Sequence, residues 1–218
     1  METEGTLSSV WDKHVGAEFA AKDADQSVGT MTANSYVNLI PLMVGARGRD
    51  EVRDFYANHF VSQIPPDMEM IPVSRTIGQG RVVEEIIVRF THTIRMDWFL
   101  PGIPPTGKRV EVPFVAIIQF EGDKIAHEHL YWDQASLLVQ LGLLDRTLPV
   151  RGGEIAAQVL NPTQPMNDLI HHGAVRAVSR NALKVTRRRE ENLHQPRRTE
   201  SLISRVKESK ESNESDPH

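Results

Sequence analysis

The chain has 218 residues, 39% of them hydrophobic, a formal net charge of −4 and no cysteine. That suffices for one packed domain and is short for two, and it excludes disulfides, thiolate metal sites and a cysteine nucleophile. Residues 1–150 carry 13 Lys/Arg against 20 Asp/Glu, whereas residues 151–218 carry 12 against 9, so no nucleic acid is expected at the acidic main domain.

The opening Met1-Glu-Thr-Glu-Gly has neither the basic nor the apolar region of a secretory signal. No apolar run nears the roughly 20 residues that span a bilayer. No membrane contact is therefore expected, and the chain is assigned to the cytoplasm. Leu7, Val10, Trp11, Val15 and Phe19 recur at helical spacing, with His14 on the same stripe. A second short helix is expected over Asp25 to Met31, and a strand over Tyr36 to Leu42. From Asp50, read as an N-cap, the residues Val52, Phe55, Tyr56, His59 and Phe60 share one helical face, and Pro65-Pro66 ends that helix.

The period then changes to that of strands. Met68 to Ile77, Arg81 to Met96, Arg109 to Phe120 and Lys124 to Trp132 are rich in β-branched residues, with turns at Gly78-Gln-Gly80 and Glu121-Gly122-Asp123. Asp133 opens a short helix carrying Ala135, Leu138 and Leu141. Helices first and a strand meander after them predict an α+β fold. Residues 1–150 form the expected domain, 151–176 a partly docked extension, and 177–218 a disordered charged tail, whose composition does not offset the entropy of ordering. Arg187-Arg-Arg189 and Arg197-Arg198 in that tail have the spacing of a weak bipartite nuclear-localisation signal.

The chemistry concentrates in Lys124-Ile-Ala-His-Glu-His-Leu-Tyr-Trp-Asp133. On a regular strand Ile125, His127, His129, Tyr131 and Asp133 share one face, and Ala126, Glu128, Leu130 and Trp132 share the other. Two imidazoles, a phenol and a carboxylate on one face are read as the lining of a pocket, in which desolvation raises the carboxylate's pKa and suits it to move a proton. Leu130 and Trp132 then fall on the outer face as candidate interface residues. His92 lies on a central strand, either as a structural histidine or as a member of the same pocket. His14 and His59 are expected in the core or at the cavity rim, and Phe90 and Trp98 among the substrate-binding residues.

Two motifs point elsewhere and are set aside. Gly102-Ile-Pro-Pro-Thr-Gly107-Lys108 has phosphate-loop spacing, but Arg109 stands where a magnesium-binding Ser/Thr is needed and two prolines remove N–H donors. It reads as a Pro-braced loop over one end of the sheet. His127-x-His129-x-x-x-Asp133 could hold a metal, but the carboxylate opens a helix; no metal and no cofactor are expected.

The run Gly122 to Asp133, leading into Leu138-Val-Gln140-Leu141-Gly142, resembles the SnoaL-like polyketide cyclase family of the nuclear-transport-factor-two-like superfamily. That family has a Gly-Lys-Ile strand, an aspartate eight residues after the Ile, and a Gln-Leu-Gly in the following helix. Pro104-Pro105-Thr106-Gly107-Lys108, the first helix with Phe19, Lys22 and Asp23, and the Gly48–Phe60 helix are similar too, so the likeness covers about residues 8 to 148. It implies a cone-shaped, curved antiparallel sheet wrapped around N-terminal helices, and a homodimer formed through the sheet's outer face. It also implies an acid/base enzyme of cyclase, isomerase or hydrolase type, with no metal or cofactor. Asp133 would shuttle the proton on a small carbonyl-containing metabolite, polyketide-like or lactone-like. His129 or His92, with Tyr131, would hold the enolate oxygen. The family's usual Trp, four residues before the aspartate, is His129 here, and His127 precedes it, which suits a smaller or anionic ligand. The alternative from another class is a non-catalytic binding module of the same fold.

Overall fold

The computed structural model describes residues 3–171. Thr3 starts helix α1 (Glu4–Val15) by accepting the Thr6 N–H on its side chain, the ordinary N-cap device. The helix runs on into a π-helical turn, Gly16–Ala21, and stops where Lys22 turns left-handed at φ 53°. Asp23 caps α2 (Ala24–Gly29) by accepting the Gln26 N–H. Strands β1 (Met31–Leu39) and β2 (Val44–Arg47) follow, then α3 (Arg49–Phe55), which ends in a second π-helical turn, Tyr56–Phe60. The cap of α3 is Gly48 rather than the expected Asp50.

The long strands are β3 (Glu69–Gly78), β4 (Arg81–Thr91), β5 (Arg109–Glu121) and β6 (Lys124–Trp132). All six strands form one curved sheet in the order β2-β1-β6-β5-β4-β3. Every neighbouring pair is antiparallel except β1 with β6, which is parallel. Parallel strands need a long crossover, and everything from β2 to β5 supplies it. Strand β4 ends at Thr91, short of the expected Met96, and residues 92–108 return to β5 as a loop. There His92 N–H donates to Lys108 O, and Gly107 N–H donates to His92 O. The Lys108 ammonium is spent on Leu141 O, at the end of α4 (Gln134–Gln140).

Strand β5 shows how the sheet is sided. Val110, Val112, Phe114, Ala116, Ile118 and Phe120 are buried, while the residues between them are only partly so. Its buried face packs on α1, α3 and the 92–103 loop in one continuous apolar core. Gln140 extends the sheet where β6 has ended, accepting the Glu111 N–H and donating to Glu111 O. In the segment after α4, helix α5 (Glu154–Leu160) buries Ala156, and Ser136 donates to Gly152 O. Among the described residues no helix is long and apolar enough to cross a membrane. The tail expected to be disordered, with its basic runs, lies outside the described residues.

Candidate functional site

A cavity of about 220 Å³ lies between the concave face of the sheet and α1, α3 and their π-helical extensions. Its walls are aromatic and aliphatic: Trp11, Phe19, Phe55, Phe60, Trp98 and Phe114, with Val37, Leu39, Met68, Met70, Ile86, Val88 and Leu130. Two polar groups of residues break this surface. One holds Glu18, Tyr56 and Glu128. The other holds Arg75 and Glu84, and it is already satisfied, because Arg75 binds Glu84, Asp12 and Ser8 while the Trp11 indole N–H donates to Glu84.

The first group is built around His14, which is fully buried. The Thr30 hydroxyl donates to Ser27 O at 2.7 Å, so its lone pairs face His14 Nδ1 at 2.6 Å. That network assigns a proton to Nδ1. Nε2 then faces three oxygens: Glu128 Oε1 at 3.0 Å, Glu18 Oε1 at 3.1 Å and the Tyr56 hydroxyl at 3.3 Å. Tyr56 in turn donates to Glu128 Oε1 at 3.1 Å. Burial pulls the His14 pKa down, but the two carboxylates more than reverse this and hold it well above an ordinary imidazole. The two carboxylates thus favour the protonated form of His14. Burial raises the pKa of Glu18, only partly opposed by His14, and burial first and the carboxylates second raise that of the Tyr56 phenol.

Local backbone makes this convergence feasible. Glu18 follows His14 by four residues, so both reach the same side of the helix, and the π-helical turn at Gly16–Ala21 sets Glu18 and Phe19 on the cavity. Tyr56 opens the second π-helical turn. Such turns recur at functional sites because the extra residue redirects side chains. Glu128 comes from the middle of β6, opposite Ile118.

The expected facing of β6 holds at Ile125 and is reversed from His127 onward. Gln119 pairs with His127 and Phe120 with Ile125, so Ala126 is an extra residue in β6. A bulge of this kind switches the alternation. Ile125, Glu128, Leu130 and Trp132 all point inward and are buried, whereas His127, His129 and Tyr131 lie on the outer face. Leu130 and Trp132, expected at an outer interface, therefore belong to the core. On the outer face Tyr36 stacks on His127, and His129 Nε2 meets the Tyr36 hydroxyl at 3.1 Å. Asp133 does not reach the cavity. It caps α4, its Oδ1 accepting the N–H groups of Ala135 and Ser136.

Of the other expected site residues, Trp98 lines the cavity and His14 bonds to its lining. Phe90 is buried in the core against Phe99, outside the cavity. His92 is buried beneath the 102–108 loop with Nδ1 on Thr106 Oγ1, and burial lowers its pKa. His59 is half exposed, 3.9 Å from Asp97, and also lies outside the cavity. Glu18, Tyr56 and Glu128 are the site residues that the sequence reading passed over. A signal was present: an acid between Ala126 and Leu130 on the otherwise apolar face that also carries Trp132 is costly unless it is paired.

The SnoaL-like polyketide cyclase profile matches residues 15–141. A search of curated proteins finds no match. Among solved structures, TsrD from Streptomyces laurentii is similar, with 17% identity, 66% of this chain and 100% of that one covered, and a TM-score of 0.54. A putative SnoaL-like polyketide cyclase from Jannaschia sp. CCS1 has 15% identity, 66% and 99% coverage and a TM-score of 0.53. AclR, a putative hydroxylase from Streptomyces galilaeus, has 19% identity, 66% and 89% coverage and a TM-score of 0.52. These likenesses bear on the fold, and the profile match, which spans more than half of the sequence, places the protein: the chain belongs to the SnoaL-like polyketide cyclase family.

Proposed function

We propose that the protein is an acid/base enzyme of cyclase or isomerase type, acting on a small, largely apolar molecule that carries a carbonyl, in the polyketide or lactone class. The observation that supports this is a buried carboxylate, Glu128, set in the wall of an apolar cavity and held there by Tyr56 and His14. In this reading Glu128 takes the role that the family resemblance implied for Asp133.

The step is a proton transfer from carbon. Glu128 accepts the proton α to the substrate carbonyl, and the electrons of the broken C–H bond move into the enolate. The Tyr56 hydroxyl, or Glu18 carrying a proton, donates a hydrogen bond to the developing enolate oxygen. The enolate carbon then forms a bond to a second carbonyl within the substrate, or is reprotonated elsewhere, and the proton returns from Glu128. A low-polarity wall strengthens each of these interactions relative to water. His14 faces the carboxylates from behind, supplying the positive charge that offsets their burial.

The test is deuterium exchange at the α-carbon of a panel of cyclic ketones and β-keto lactones, with wild type and Glu128→Gln compared. A positioned acid/base contributes about 10²–10⁴-fold, so Glu128→Gln should lose that much rate while keeping the fold. Full activity in Glu128→Gln would overturn the assignment. Ligand-induced thermal stabilisation of the wild type with no exchange and no turnover would identify a binding module instead.

A further inference from the structure

We propose that His14, Glu18 and Glu128 form a site for a divalent first-row transition metal at the head of the cavity. The starting observation is that His14 Nε2 is over-subscribed. One ring N–H serves at most one good acceptor, yet two carboxylate oxygens and a phenol oxygen lie within 3.3 Å of it. Oxygens and a nitrogen converging on one point is the arrangement a cation needs.

The distances fit that use. With metal–ligand bonds of about 2.1 Å, two ligands at a right angle stand about 3.0 Å apart, and at the tetrahedral angle about 3.4 Å. Nε2 lies 3.0 and 3.1 Å from the two carboxylate oxygens, and all three ligand atoms lie within 4.8 Å of one another. A modest spreading of the three side chains would admit the ion. Charge fits as well: an ion that displaces the Nε2 proton is left facing a neutral imidazole and two carboxylates, whose two negative charges a divalent ion cancels inside a buried site.

The surroundings of His14 are those of a ligating histidine. Its other nitrogen is held by Thr30 Oγ1 and Ser27 O, and such an outer partner fixes the ring and its tautomer in metal sites. Glu18 and Glu128 both line the cavity, so an ion held by them would stand at its wall, within reach of a substrate oxygen. One imidazole with two carboxylates and no thiolate selects ions such as Mn²⁺, Fe²⁺, Co²⁺ and Zn²⁺. The outer-face pair His127 and His129 offers a competing place for the same ions, and the test separates the two.

Metal-stripped full-length chain is titrated with Co²⁺, read by its visible d–d absorption, and separately with Zn²⁺, read by thermal shift, with no substrate present. One ion per chain is expected, with the melting temperature raised by about 5–10 °C at a hundredfold excess over Kd. Glu18→Gln should abolish the Co²⁺ spectrum, and Thr30→Val, which keeps all three ligands, should weaken binding by about 10–100-fold. The His127→Ala/His129→Ala variant should bind as wild type does. No stoichiometric ion, or binding lost with the His127/His129 pair and kept in Glu18→Gln, overturns the proposal. If Glu18→Gln fails to fold, Thr30→Val and the outer-face variant still decide it. The inference shares its residues with the acid/base reading but stands apart from it in the laboratory. Exchange by metal-stripped protein tests proton transfer without the ion, and the spectrum tests the ion without turnover.

Discussion

His14 Nε2 lies 3.0 Å from Glu128 Oε1, and both side chains are essentially closed to solvent. One residue comes from the first helix and the other from the last strand, so this ion pair joins the two ends of the fold across the head of the cavity. A second carboxylate, Glu18, shares the same nitrogen. Burying a charge without a partner is far more costly than burying a paired one.

Removing the cation from this cluster should therefore be severe. His14→Leu leaves Glu18 and Glu128 facing each other without compensation, and a loss of about 3–5 kcal/mol is expected in urea denaturation. The triple variant His14→Leu/Glu18→Gln/Glu128→Gln removes the charges together and should recover much of that loss, because a buried ionic cluster is often replaceable by neutral groups. A triple variant no more stable than His14→Leu would show that packing, not charge, governs the site.

Much of this fold is written in local patterns, and the helical stripe Leu7–Trp11–Phe19 and the alternation along β5 are both read directly from the sequence. The site was harder to read because its geometry depends on one residue. Ala126 bulges out of β6, and that single insertion decides whether His127 or Glu128 faces the cavity. Bulge positions follow from pairing with a neighbour, here the Gln119–Phe120 step of β5, and one strand viewed alone does not reveal them. Glu18 was equally hidden, since an acid on a helix reads as solvated surface until the turn carrying it becomes π-helical. The parallel pairing of β1 with β6 is non-local in the same way.

Gly45 should tolerate no side chain. Its φ is 151°, and a Cβ there would lie 2.0 Å from Val37 O and 2.9 Å from the carbonyl carbon, both backbone atoms of the paired strand. Because backbone cannot swing aside, Gly45→Ala should separate β2 from β1 and destabilise by more than about 2 kcal/mol. Faster amide exchange at Val37 and Leu39 would report it, and unchanged stability would contradict the close approach.

Acid stability should depend on His92. The ring is buried, Nε2 has no partner among the described residues, and burial holds its pKa below the ordinary imidazole value. A group with a depressed folded pKa stabilises the fold above its unfolded value, near 6.5, and that contribution is lost as pH falls through the lower folded pKa. Stability should thus decline below about pH 6.5, and His92→Phe should flatten this limb in melts taken from pH 7 to 5. An unaltered acid limb in the variant would assign the decline to other groups.

Asp133 offers the clearest separation of a structural carboxylate from a chemical one. Its side chain accepts the N–H groups of Ala135 and Ser136 at the start of α4, and it is exposed. Asp133→Ala should cost about 0.5–2 kcal/mol of stability, the usual range for a lost N-cap. Asp133→Asn, which retains an acceptor oxygen, should cost less. Neither should lower exchange or turnover beyond the fraction unfolded, in contrast with the loss of about 10²-fold or more expected for Glu128→Gln. Rates for the three variants, measured well below their melting temperatures, place the acid/base group. A hundredfold loss in Asp133→Asn with a normal rate in Glu128→Gln would return the chemistry to the end of β6. It would then require α4 to open and release its cap during the reaction.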